Sequence, residues 1–130
     1  MASKSTILLL GYSAEPNNRL KDALTRELEG RFHVVFALNE PEVRLAITSY
    51  RDCTVLIVAT ATMFHLDPCH RDSCEIFIRV KQDLGAHFLA GSGTSLDHLL
   101  VTRGIARHSI NADPALAAGD IKAFLSAIGR

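Results

Sequence analysis

The segment from Met63 to Glu75, MFHLDPCHRDSCE, concentrates chemically capable side chains. His65, Asp67, Cys69, His70, Asp72 and Cys74 are donors of the kinds that hold Zn²⁺ or a softer transition metal. The spacing argues against that chemistry. Cys69 and Cys74 lie farther apart than a CxxC pair, and no second ligand pair at matching spacing appears elsewhere. A thiol switch is the second chemistry on offer, because Cys74 falls near the start of an expected helix, where a thiolate is favoured, and Cys69 is placed to resolve it. Against both stands a solvated loop in which Asp72 or Ser73 caps the following helix, and the pattern favours that loop. His65, Cys69, His70 and Cys74 remain the candidate metal or redox set, with no metal or cofactor assigned to them.

A second place of interest is Gly91-Ser92-Gly93-Thr94-Ser95, between an apolar run and a helical pattern. Successive backbone N–H groups in such a turn can cradle an anion. No Lys follows as in a P-loop, and the glycines do not make a dinucleotide fingerprint. A tight turn with Thr94 or Ser95 as the helix cap is the plainer reading. His33, His87 and His108 sit on expected strands, where single histidines are usually structural, and His98 faces solvent on its helix. Cys53, opening a buried strand, reads as an inert core residue. No Ser/His/Asp or Cys/His arrangement can be assembled, so the chain is not expected to be an enzyme.

These residues hang on a regular alternation. Thr6–Leu10 (TILLL), His33–Leu38 (HVVFAL), Cys53–Thr60 (CTVLIVAT), Ala86–Ala90 (AHFLA) and Ile105–Ile110 (IARHSI) read as strands. Between and after them come helical spacings: Leu20/Ala23/Leu24/Leu28, capped by Asn17 or Asn18, then Val43/Ala46/Ile47/Tyr50, then Ile76/Phe77/Val80/Leu84. A short helix with Leu96, Leu99 and Leu100 and a last one with Ala117, Ile121, Phe124, Leu125 and Ile128 complete the set. Gly30, Gly85 and Gly104 stop three of them, and Pro41 and Pro114 stand in first turns, where a missing N–H costs nothing. Five strand–helix alternations predict one α/β domain over residues 1–130, a doubly wound five-stranded parallel sheet with helices on both faces. The first and third strands are apolar throughout and belong in the middle, and the alternating fifth belongs at an edge. That gives the order 2-1-3-4-5. A ligand, if any, would enter at the switch point between Gly11–Asn18 and Ala59–Thr62, which offer hydroxyls (Tyr12, Ser13, Thr60, Thr62) and little charge.

Composition limits the partners. Of 130 residues 48% are apolar, enough for one core, and 14 basic residues balance 14 acidic ones with no single-sign run. A nucleic-acid binder would carry a basic face, so none is expected. No apolar run approaches a membrane span, and no secretory pattern opens the sequence, so neither membrane nor export is expected. Three cysteines, an odd number, suit a reducing compartment. The cytoplasm is the expected location.

Five βα alternations in a chain of this length resemble the receiver domain of response regulators, and the resemblance extends over nearly the whole chain. It rests on the order and spacing of elements. Receivers phosphorylate an Asp at the end of the third strand and hold Mg²⁺ with acidic residues after the first. They also use a Thr or Ser after the fourth strand and a Lys-Pro after the fifth. Carried onto this sequence, the acidic pair falls on Gly11 and Tyr12, the phosphoacceptor near Ala59, the hydroxyl at Ser92, and the Lys-Pro at about Asn111 and Ala112. The aromatic switch falls at about His108. A divalent cation needs clustered carboxylates, and the nearest acid, Glu15, lies a few residues late. The resemblance is therefore to degenerate, or pseudo-, receivers. It implies a non-phosphorylatable protein-interaction or signalling module with no cofactor and a protein partner. A homodimer through the fourth helix, fifth strand and fifth helix would draw on Leu99, Arg103, Arg107, Lys122 and Ala123. The alternative is a ligand-, metal- or thiol-sensing domain using residues 63–75.

Overall fold

A computed structural model describes residues 5–11, 14–37, 40–60, 75–93 and 95–130. Four parallel strands, β1 (Thr6–Leu10), β2 (His33–Ala37), β3 (Thr54–Ala59) and β4 (His87–Ala90), lie in the order β2-β1-β3-β4. Among the described residues five helices accompany them: α1 (Ala14–Glu27), α2 (Glu40–Ser49), α3 (Glu75–Leu84), α4 (Ser95–Thr102) and α5 (Pro114–Ala127).

Successive strand residues point to opposite faces, so a strand covered on both sides must be apolar throughout. Ile7 and Leu9 of β1 join Leu56, Val58 and Leu89 in a core closed by α1 and α5. Leu8 and Leu10 join Ile57, Ala59, Phe88 and Ala90 in the other core, closed by α2, α3 and α4. Phe77 and Phe88 meet edge to face there, with ring centroids 6.2 Å apart. Each such fully buried side chain contributes about 1.5–3 kcal/mol through removal of apolar surface from water.

The helix stops act as their sequence suggests. Gly85 and Gly104 have φ of +59° and +73°, the left-handed conformation that ends a helix without a Cβ clash. At the end of α1, by contrast, Glu29 itself takes φ +53°, and Gly30, at +70°, follows it and donates its N–H to the Thr25 carbonyl at 3.0 Å. Asp113 caps α5 by accepting from the Ala115 N–H at 3.0 Å, and Pro114 occupies the first turn. One start differs from expectation. α1 begins at Ala14, so Asn17 and Asn18 lie inside it rather than capping it. Pro16 is the third helical residue, and its missing N–H would have had no partner within the helix.

The fifth strand is the main departure. Ile105 and Ala106 both donate their N–H groups to the Leu100 carbonyl, closing the end of α4. They are thereby lost to the sheet. Only Arg107–Ile110 remains to run beside β4, through Arg107 N to Phe88 O (2.8 Å), Ala90 N to His108 O (3.2 Å) and Ile110 N to Ala90 O (2.7 Å). The expected strand becomes a single parallel bridge, Ala90 to Ser109, at the expected edge. Among the described residues no helix is long and apolar enough to cross a membrane.

Candidate functional site

The carboxyl ends of the strands converge on a rim formed by Gly11, Thr60 and Gly91 to Gly93. Parallel strands end there with N–H groups that no further pairing consumes, which makes such rims ligand-binding in many α/β proteins. Here the described donors are already engaged. Gly11 N–H donates to the Ala37 carbonyl at 3.1 Å, and Gly91 N–H to the Ala59 carbonyl at 2.7 Å. Thr60 donates twice to the Leu10 carbonyl, from its N–H and from its buried hydroxyl, both at 2.8 Å.

The turn after β4 is filled by its own chain. One Asp97 carboxylate oxygen accepts from the Ser92 N–H at 2.9 Å and from the Ser92 hydroxyl at 2.5 Å. The other accepts from the Gly93 N–H at 2.9 Å. Asp97 lies in the first turn of α4, where a carboxylate also meets the positive end of the helix dipole. Charge-assisted bonds of this kind are roughly twice as strong as neutral ones. The less favoured reading of this turn, an anion cradle, holds for the N–H groups of Ser92 and Gly93, and the anion is the Asp97 side chain; Thr94 lies outside the described residues. In the sequence Asp97 looks like an ordinary first-turn acid and does not stand out. The Gly-Ser-Gly turn just before it is the signal that could have found it.

Close packing also guards this turn. A Cβ on Gly91 would meet Ile110 Cγ1 at 3.0 Å and the Ala59 carbonyl oxygen at 3.5 Å. Gly93 has φ +72°, and a Cβ there would stand 2.8 Å from that of Ala112. A side chain at Gly91 would have to displace Ile110, and one at Gly93 would meet both a clash and a strained backbone.

The receiver-derived positions fall as follows. Gly11, Ala59 and Ser92 are all buried at the rim. Asn111 is exposed beyond it; its N–H donates to Asp120 at 3.1 Å and its side-chain oxygen accepts from the Asp113 N–H at 2.8 Å, shaping the entry to α5. Tyr12 lies outside the described residues, as do His65, Cys69, His70 and Cys74 of the metal or redox set. Among the described residues no three His, Cys, Asp or Glu side chains come together as a metal site would need. Cys53 is half-buried rather than sealed in the core, with its sulfur 3.3 Å from the Thr6 hydroxyl.

The strand histidines are exposed, not buried. His87 and His108 each meet Phe124 edge to face, at 5.4 and 5.6 Å between centroids, and the Arg107 guanidinium lies 5.9 Å from the same ring. His33 makes the same contact with Tyr50 at 5.7 Å. Of the side chains expected on a pairing face, Arg103, Arg107, Lys122 and Ala123 are exposed and Leu99 is half-buried. Lys122 turns toward α1 and pairs with Glu27 at 3.8 Å.

With α1 and α5 on one face, α2, α3 and α4 on the other, and the order β2-β1-β3-β4, the domain has a receiver-like α/β fold. Solved structures agree. A protein assigned to pilus assembly (cpaE) from Burkholderia thailandensis superposes with a TM-score of 0.61 at 16% identity, over 94% of this chain and 98% of that one. A pilus assembly-related protein from Burkholderia pseudomallei gives 0.61 at 14%, over 97% and 94%. A response regulator from Colwellia psychrerythraea gives 0.55 at 16%, over 97% of both chains. At these identities the likeness is one of fold. No protein-family model and no curated protein matches the sequence.

Proposed function

We propose that this domain is a non-phosphorylatable receiver-like module, not an enzyme, that works by docking to a protein partner. The observation that carries the reading is the state of the rim. The phosphoacceptor position holds buried Ala59, the acidic position after β1 holds Gly11, and the Ser92 hydroxyl is bound to Asp97. Acyl phosphate formation needs a carboxylate nucleophile and a cation held by further carboxylates. In the sequence no carboxylate follows Ala59 until Asp67. Signalling without phosphate then leaves surface recognition as the means, with a second copy of the chain as one candidate partner. The three cysteines support the cytoplasm as its place.

The test is incubation with an acyl phosphate donor and Mg²⁺, read by intact mass. An unchanged mass is expected, and stable gain of a phosphoryl group at the end of β3 overturns the proposal. Light scattering across a concentration series tests the second-copy version. A strictly monomeric result removes it and leaves a different protein as the partner.

A further inference from the structure

At the opposite end of the sheet from the rim, a groove runs between the carboxyl ends of α3 and α4. Two cavities of about 500 and 330 Å³ share Lys81, Ala86, Gly104 and Ile105 and so lie side by side, both open to solvent. Its existence follows from the lost fifth strand. Because Ile105 and Ala106 turn back to close α4, the segment after them first reaches β4 at the Phe88 carbonyl, through the Arg107 N–H, and a hollow remains beside His87 and Phe88.

The lining is one-signed. Lys81 and Arg103 line the larger cavity and Lys81, His87 and Arg107 the smaller, and among the described residues no Asp or Glu lines either. Formal charge over the whole chain is zero, so this is a local concentration of positive charge. Cations near helix carboxyl ends have an ordinary use, neutralising the helix dipole. Lys81 serves it: its ammonium donates to the Gly104 carbonyl at 3.2 Å, joining the two helix ends, and has two further protons to give. That use does not account for Arg107, which follows the turned segment and rests near Phe124. Nor does it account for Ile78, an apolar side chain 37% exposed in the same groove.

We propose that this groove docks an acidic peptide segment of a partner protein, with an apolar side chain of that segment seated by Ile78, Ala86 and Ile105. The proposal rests on the docking reading above and gives its partner a chemistry. Charge complementarity selects the acid. The open, two-lobed shape suits an extended chain better than a small molecule, which prefers an enclosed pocket. Fixed cations beside an apolar floor steer an oppositely charged segment and set its register.

The test uses the whole domain and a fluorescein-labelled peptide, Glu-Glu-Leu-Asp-Glu-Phe-Glu-Glu, read by fluorescence anisotropy. Binding that weakens with added salt is expected, together with no binding of the same peptide carrying Lys in place of every acid. Both arginines are exposed, so the double variant R103E/R107E should keep its circular dichroism spectrum and bind at least about tenfold more weakly. R26E on α1, remote from the groove, should bind as the parent does. Amide resonances of Ala86, Gly104 and Arg107 should shift on titration. Absence of binding, equal affinity in R103E/R107E, or displacement by inorganic phosphate at the peptide's own concentration overturns the proposal. So does binding to vesicles of anionic lipid in preference to the peptide. None of these outcomes bears on phosphoryl uptake, which is read separately by mass.

Discussion

Asp97 and Ser92 are joined by two hydrogen bonds to a single carboxylate oxygen, one from the Ser92 N–H at 2.9 Å and one from its hydroxyl at 2.5 Å. Because the second oxygen holds Gly93, one side chain fixes the whole turn between β4 and α4. Asp97→Ala strands these donors in a largely buried setting and should cost about 2 kcal/mol of stability. Asp97→Asn keeps one acceptor oxygen but sets an NH₂ group against the other donor, and should cost less. Urea unfolding of the two variants checks the order.

Glycine substitutions separate conformational from steric cost. Gly104 has φ +73° with open space where a methyl group would stand, so Gly104→Ala should cost only the left-handed backbone penalty, about 1 kcal/mol. Gly93→Ala carries the same penalty and also drives a Cβ to 2.8 Å from that of Ala112. It should cost roughly twice as much, measured as the shift in thermal midpoint between the two variants.

Hydrogen exchange tests the reduced fifth strand. The Arg107 and Ile110 N–H groups are bound to β4 and should exchange slowly. His108 and Ser109, whose N–H groups have no backbone partner across the sheet among the described residues, should exchange faster. Slow exchange at His108 with fast exchange at Arg107 would mean a regular edge strand instead, since alternate N–H groups of an edge strand face away from the sheet.

Much of this architecture is legible in the sequence, for a physical reason. TILLL and CTVLIVAT carry strong signals of strands covered on two faces, and Asp113-Pro114 that of a helix start. Each of those signals is local. IARHSI misleads because its first two residues answer to a helix end that lies before them, and the competition between capping α4 and extending the sheet is not written in its own alternation. Asp97 is hidden for a related reason. Its partners precede it in a separate turn, so its role depends on how that turn bends back. The groove beside β4 is illegible because it is a space left by a strand that does not form.

Under the proposed function, one added carboxylate at the end of β3 should not create phosphoryl chemistry. Ala59→Asp places a carboxylate at a fully buried site in the core and should destabilise the domain by ~3 kcal/mol or more. With Gly11 in place of an acid, the new carboxylate has no companion for Mg²⁺ at that position. Thermal unfolding with and without Mg²⁺ should show a lowered midpoint and no recovery by the cation.

Phe124 anchors the corner where β4, the bridge segment and α5 meet. Its ring meets His87, His108 and Arg107, and it is 6% exposed. Phe124→Ala should cost about 3–5 kcal/mol, the range for removing a buried aromatic, whereas Phe124→Leu should retain most of the packing. Denaturant midpoints of the two variants give the comparison.

The Asp97 carboxylate has one more implication, about time. An acyl phosphate is a message with a lifetime, written by one protein and erased by hydrolysis. The anion in this turn was put there by translation and lasts as long as the polypeptide. Under the proposed function the domain therefore stores no record of a past event.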